Sequence, residues 1–61
     1  MPKFNVRETF QGTDVFDVYD TETGHIAIVN GTWLGAIPYD DADDAADLLN
    51  VIYAKLNGLL N

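Results

Sequence analysis

The side chains that could do chemistry in this chain are its carboxylates, and they occupy one interval. No lysine or arginine lies between Arg7 and Lys55. Clustered carboxylates can bind hard cations, act as an acid and base pair, or present negative charge to a basic surface. The interval contains every acidic residue of the chain: Glu8, Asp14, Asp17, Asp20, Glu22, Asp40, Asp41, Asp43, Asp44 and Asp47.

Catalysis and cofactor binding are not expected from the other residue types. The chain has no cysteine and no serine, and its only histidine, His25, lies beside a turn. Nucleophilic catalysis needs a nucleophile next to a base, and the five scattered glycines form no phosphate loop. The densest acids, at 40–44, lack the alternating ligands and the following glycine of a calcium loop. We therefore predict a protein that is not an enzyme and has no metal site and no cofactor.

Composition limits the setting and the partners. A chain of 61 residues makes one small, marginally stable domain, and its net charge is −7. Such a field repels nucleic acid and attracts basic surfaces. The N-terminus has no apolar signal region, and no apolar run approaches the length of a membrane span. We expect a cytoplasmic protein, in a host cell cytosol, that contacts neither nucleic acid nor membrane directly.

The first two-thirds of the chain predicts strands. Phe4, Val6 and Phe10 alternate with polar residues, the period of a half-buried strand. Asp20 to Gly24 is typical of a hairpin loop, and Asn30-Gly31 favours a type I′ turn. Pro38 is expected to end the last strand because it cannot donate to a ladder. The predicted strands cover about residues 3–10, 14–20, 25–30 and 32–37.

The last third predicts one helix over about residues 41–57. Asp40 suits the N-cap, with Asp43 as the acidic end of a capping box, and Gly58 suits the C′ position. Leu59 and Leu60, beyond the predicted stop, either fold back onto the sheet or form an exposed apolar end that favours self-association, and fold-back is the preferred interpretation. One apolar stripe would face the sheet, and it consists of Ala45, Leu48, Leu49, Ile52, Leu56 and Leu59. The predicted fold is α+β: a small antiparallel meander of three or four strands with one C-terminal helix on one face.

The helix acids have two interpretations. Acids near a helix N-terminus stabilise the helix through its macrodipole, and in the first interpretation they serve only capping and solubility. The alternative is mimicry of DNA phosphates, because Asp40, Asp44 and Asp47 would form a row with a spacing near that of one DNA strand. Pairs of like charge one turn apart destabilise a helix, which favours a functional reason for them. The predicted partner-binding residues are Asp40, Asp41, Asp43, Asp44 and Asp47, supported by Asp14, Asp17, Asp20 and Glu22 if the two sets meet at one end of the domain.

The chain resembles, in type, the small acidic anti-CRISPR proteins of bacteriophages that act as DNA mimics. The resemblance rests on size, acidity, the absence of cysteine, and a sheet followed by a helix, with Val18 to Gly24 and Asp40 to Asn50 giving the strand–turn–strand–helix order. It implies inhibition: the protein would occupy the basic DNA-binding channel of a host defence complex, a CRISPR surveillance complex first among them. A restriction enzyme, a glycosylase or a nucleoid protein would fit the same surface.

A second hypothesis assigns function to apolar residues. In it, the chain is a small structural or assembly module, a monomer or weak homodimer, and the acids only confer solubility. Aromatic residues are enriched at the centres of interfaces. The core is nevertheless the expected location of Trp33. The contacts of this second hypothesis would be Tyr39, Tyr53, Trp33, Leu59 and Leu60.

Overall fold

The computed structural model describes the backbone of residues 2–60 and the side chains of residues 2–58. It confirms the predicted α+β fold: an antiparallel sheet carries one C-terminal helix. No helix in this described part is both long and apolar enough to cross a bilayer. The elements are β1 (Phe4–Glu8), β2 (Val15–Asp20), β3 (Ile28–Val29), β4 (Thr32–Trp33), β5 (Ile37–Pro38) and α1 (Tyr39–Leu60).

The main sheet has the order β1-β2-β5, so β2 is its centre. β1 and β2 pair antiparallel along their whole length, with Val6 opposite Val18. β5 pairs with the start of β2, where Val15 lies opposite Pro38. The predicted end of this strand at Pro38 is confirmed, because β5 stops there.

The predicted strands at 25–30 and 32–37 are wrong as continuous strands. Ile26 makes an isolated bridge to Tyr19, after which β3 and β4 form a separate two-stranded ribbon. The type I′ turn is confirmed, since both Asn30 (φ 52°) and Gly31 (φ 77°) have positive φ. At the base of the ribbon, Ala27 N–H donates to Val18 C=O, and Val18 N–H donates to Leu34 C=O. Both ends of the ribbon therefore leave the sheet at the same residue of β2.

The chain returns to the sheet through a bulge. Val18 N–H donates to Leu34 C=O, whereas Phe16 lies opposite Ile37. Between these two points one residue of β2, Asp17, opposes two of the returning segment, Gly35 and Ala36, which defines a bulge. Ala36 absorbs the extra residue with a φ of 56°, a left-handed conformation that is uncommon for a residue with a Cβ.

The helix begins earlier and ends later than the sequence predicts. It begins at Tyr39, directly after β5, so Asp40 lies inside the first turn and is not the N-cap, and the predicted capping box with Asp43 does not form. The Tyr39 ring packs edge-on against Phe16 at 5.1 Å, which favours the early start. Gly58 is helical and not a C′ residue. The predicted fold-back of the Leu59 and Leu60 side chains lies outside the described residues.

The core is small and depends on alanines. Val18 is fully buried, and Ala27, Ala42 and Ala46 complete the buried apolar set. Phe4, Val6, Phe16, Leu34, Ile37, Ala45 and Leu49 pack around it. Small side chains on the buried face of α1 let the helix lie close to the sheet. The predicted stripe is therefore partly wrong: Leu48, Ile52 and Leu56 are exposed, by 60%, 43% and 54%.

Asn50 fastens the helix to the outer edge of the sheet. Its Oδ1 accepts from Phe4 N–H at 2.8 Å, and its Nδ2 donates to Phe4 C=O at 3.0 Å. The amide thus occupies the position that a neighbouring strand would take. The next outward N–H, that of Val6, donates to the Asn5 side chain. Two side-chain amides therefore cover part of an open strand edge, a position that otherwise invites pairing with other chains.

Asp17→Ala should destabilise the fold by at least about 2 kcal/mol, because hydrogen bonds to a charged acceptor are worth about 1.5–3 kcal/mol each. Asp17 Oδ1 accepts from Thr9 Oγ1 at 2.6 Å and from Ala36 N–H at 3.0 Å. Urea unfolding followed by circular dichroism measures the loss. Asp17→Asn is the matched control: it retains an acceptor oxygen and should cost less. A loss below about 0.5 kcal/mol, the range of ordinary surface changes, would contradict this role.

Candidate acidic interface

Helix α1 displays its acids on its N-terminal half. Asp40, Asp41, Asp44 and Asp47 are exposed, and Asp43 is half-buried. Asp40 and Asp41 lie in the first turn, where the macrodipole favours a negative charge. The remaining acids lie beyond the first turn, where this effect fades. We call the five residues the helix acids.

Three of the helix acids form a row. At 3.6 residues per turn, positions 40, 44 and 47 fall within about 60° of one another around the helix axis. Their rise of 1.5 Å per residue separates neighbours by roughly 5–6 Å along the axis. The predicted row of Asp40, Asp44 and Asp47 is therefore compatible with the helix register and with their exposure.

The ion pairs of the described residues leave the helix acids out. Lys3 lies 3.0 Å from Asp20 and 3.1 Å from Glu22, and Arg7 Nε lies 3.7 Å from Asp17 Oδ2. Lys55 lies on the same helix about two turns beyond Asp47. Among residues 2–58, no ion pair involves a helix acid, so the negative charge of this half is uncompensated by neighbouring side chains.

Asp17 does not belong to a partner-binding surface, contrary to the prediction. Its residue exposure is 4%, and its oxygens hold Thr9, Ala36 and Arg7. The segment that returns through the bulge covers the sheet face on which Asp17 lies. The alternation of residues in β2 predicts that this face is exposed to solvent. An available signal was the position of this acid inside the apolar run Val15 to Tyr19, where a charge needs built-in partners.

The two acidic sets meet only in part. The helix starts beside Val15, which pairs with Pro38, so exposed Asp14 lies near the helix acids in the fold. Glu22 instead lines a groove of about 420 Å³ together with residues of the C-terminal half of the helix, among them Tyr53 and Asn57. Asp20 and Glu22 therefore lie at the opposite end of the domain, and the predicted merger with the helix acids holds for neither.

The Asp20 carboxylate is held in its charged form. The Glu22 N–H donates to its Oδ1 at 2.8 Å, and Lys3 lies beside its Oδ2. These two interactions, in that order, lower the pKa of Asp20 below its ordinary value. The hydrogen bond to Asp20, with a further one to Glu22, raises the pKa of Lys3. Lys3 also lies over the Tyr53 ring at 5.2 Å, which ties the N-terminal segment to the helix.

The described residues contain no arrangement suited to metal chemistry. Within them, no group of three or more His, Asp and Glu side chains is placed to hold a metal ion. His25 is exposed. The groove beside Glu22 holds Lys3, which already pairs with two carboxylates. What this arrangement can do chemically is present the negative charge of its exposed carboxylates to another molecule.

Sequence reasoning missed an exposed apolar surface on the helix. Leu48, Val51, Ile52 and Leu56 are 43–60% exposed, and we call them the helix stripe. The chain has more apolar helical positions than one face can bury, and this surplus was the available signal. Trp33 is also exposed, by 57%, and not in the core. Its ring lies over Gly35, where an added Cβ would come within 2.9 Å of it.

Comparison with protein-family models, with curated proteins and with solved structures finds no match to this chain.

The lowered pKa of Asp20 predicts a loss of stability in acid. Its folded-state pKa is depressed, so its contribution is present above the unfolded value, about 3.9, and is lost as pH falls through the folded value. Asp20→Asn should therefore be less stable than the wild type at pH 7, and the difference should shrink below about pH 4. Urea unfolding across this range measures it. Lys3→Met, which removes the cation alone, should lose only part of this pH dependence. A difference that is constant with pH would contradict the assignment.

Asp47→Asn should stabilise the protein. Asp43 and Asp44 lie one turn earlier on the helix, and each like-charge pair costs about 0.2–0.5 kcal/mol. Asparagine and aspartate have similar helix propensity, so the change tests charge. We expect a melting temperature higher by roughly 2–6 °C at low salt and a smaller gain at high salt. The control, Asp41→Asn, lies in the first turn and should give no gain. A destabilising Asp47→Asn would show that these charges support the fold.

Proposed function

We propose that this protein is a non-enzymatic inhibitor that occupies the DNA-binding channel of another protein by presenting carboxylates in place of phosphates. The row of Asp40, Asp44 and Asp47 carries this proposal, because it is exposed and has no cation beside it among the described residues. Asp41, Asp43 and Asp14 add charge at the same end of the domain.

The distribution of positive charge supports the proposal. A surface that serves only solubility works well with both signs interspersed. Here Lys3 and Arg7 pair with acids of the sheet and not with the helix acids. Lysine and arginine side chains of a DNA channel would pair with the free carboxylates by charge-assisted hydrogen bonds. The segregated charge would also accelerate association and orient the two proteins.

The energetic cost of the helix acids gives the proposal a second support. First-turn acids stabilise a helix, but Asp44 and Asp47 lie beyond the first turn and repel acids one turn away. A marginally stable domain gains nothing in folding from them. Binding to a basic partner gives these charges a use that folding does not.

The proposed partner is a host DNA-binding defence complex in the cytosol, and a CRISPR surveillance complex is the first candidate. This choice rests on the resemblance in type to acidic anti-CRISPR proteins. The same electrostatics would suit the DNA channel of a restriction enzyme or a repair glycosylase. What the proposal specifies is a partner with a basic DNA-binding surface.

A second candidate function is an assembly module that pairs through apolar contacts. The exposure of Trp33 and Tyr39, 57% and 52%, favours it. Tyr53, on α1, is half-buried, and its ring centroid lies 6.5 Å from that of Phe4. It therefore offers less exposed surface for apolar pairing. Salt separates the two candidates, since it weakens contacts between exposed charges and leaves apolar pairing nearly unchanged.

The test is competition for labelled target DNA on a DNA-targeting CRISPR surveillance complex at low and high salt. The wild type should displace DNA, and less so at high salt. Asp44→Asn with Asp47→Asn should weaken inhibition by about tenfold or more, the effect of losing about 1.4 kcal/mol. The matched control, Glu8→Gln with Glu22→Gln, removes the same charge from β1 and the 20–24 loop, outside the row, and should inhibit almost normally. Equal loss in both double variants would show a net-charge effect, and inhibition that ignores salt would contradict mimicry.

A further inference from the structure

The helix stripe is an apolar surface without a partner in the chain. Leu48, Val51, Ile52 and Leu56 recur at spacings of three and four on α1, so they form a continuous band. At 100° per residue the band runs from Val51, on the outer side of the helix, to Leu56, beside the sheet-facing Leu49. Their exposures are 60%, 51%, 43% and 54%. Adjacent large aliphatic side chains form a patch on the scale of the 300–600 Å² that is the largest on an ordinary monomer and is often functional.

The helix acids and the helix stripe follow one another along the helix axis. The acids end at Asp47 and the stripe begins at Leu48. Lys55 is exposed and falls between Val51 and Ile52 around the axis, at 100° per residue. One end of the outer helix surface is therefore acidic, and the other is apolar with a single cation.

We propose that the helix stripe binds the same stripe of a second copy, with the two helices antiparallel. A parallel pair would set each helix acid beside its own equivalent. An antiparallel pair with its two-fold axis near Ile52 places Leu48 against Leu56 of the other copy. It also brings Lys55 within about two residues' rise, roughly 3 Å, of the other copy's Asp47 along the axis.

Charge separation makes this arrangement possible for a chain of net charge −7. With the axis near Ile52, the starts of the two helices point in opposite directions, and their residues 42 lie roughly 30 Å apart along the axis. That distance is several times the screening length of about 8 Å at physiological salt. Asp40, Asp41 and Asp43 extend past the end of the other helix, and Asp44 lies level with its last residue, so pairing leaves these acids accessible.

The small core is the reason to choose a second copy as the occupant. Val18 is the only large side chain that is fully buried among the described residues. Domains of this size bury little apolar surface and are only marginally stable, and many gain stability by oligomerisation. A two-fold pair buries the stripe twice and supplies apolar contact that the single chain lacks. The interface is small, so the dimer is weak and forms between micromolar and millimolar concentration.

Disulfide trapping tests the arrangement directly, because the chain has no cysteine. Ile52→Cys should form a disulfide dimer under mild oxidation, since the two sulfurs meet at the two-fold axis. Asp44→Cys lies far from its equivalent in the antiparallel pair and should remain monomeric. Gln11→Cys, in an exposed loop, measures random collision. Trapping of Asp44→Cys as readily as Ile52→Cys would overturn the antiparallel arrangement, and trapping of Ile52→Cys no better than Gln11→Cys would overturn pairing altogether.

Sedimentation equilibrium of the cysteine-free protein provides the second measurement. Ile52→Asp should weaken association by at least about tenfold, because it sets two charges together at the axis. Gln11→Asp adds the same charge elsewhere and should not weaken it. Lys55→Asp should weaken the dimer, and adding Asp47→Lys to it should restore part of the loss. A wild type that stays monomeric to millimolar concentration would overturn the proposal. No DNA-binding complex is present, so this outcome is independent of the proposed inhibition.

Discussion

A buried carboxylate at the centre of the sheet holds the parts of this small fold together. Asp17 receives the Thr9 hydroxyl and the Ala36 N–H on one oxygen and faces Arg7 with the other. It therefore joins β1, β2 and the segment that returns from the ribbon. That segment leads through β5 into the first turn of α1 with no intervening loop. The position of the helix acids thus depends on a carboxylate that is itself buried.

Sequence patterns predict this fold correctly where interactions between residues close together in the chain determine the structure. The alternation of Phe4 and Val6, the Asn30-Gly31 turn and the helical period after Tyr39 act over a few residues, and the structure follows them. The bulge at Ala36 and the burial of Asp17 arise where distant segments converge on Val18, and no short pattern reports that convergence. For the same reason, the helical residues that face the sheet were mistaken: alanines pack where leucines were expected.

The candidate site divides along the same line. Exposure of Asp40, Asp44 and Asp47 follows from helix periodicity, so the sequence was sufficient to predict the row. The separation of Glu22 from the helix start is a property of the topology, since β5 delivers the helix to the opposite end of β2 from the 20–24 turn. Exposed charge and exposed apolar surface consequently follow one another along one helix.

The alanine-rich core also determines how the protein responds to temperature. Heat-capacity change on unfolding scales with the apolar surface that becomes exposed, and here much of the aliphatic surface of α1 is already in water. Val18, Ala27, Ala42 and Ala46 have little further surface to expose. The free energy of unfolding should accordingly be only weakly curved as a function of temperature, and the small enthalpy of unfolding of a 61-residue domain should give a broad calorimetric transition. The hydrogen bonds of Asp17 and Asn50 then add to hydrophobic burial in determining the temperature of that transition.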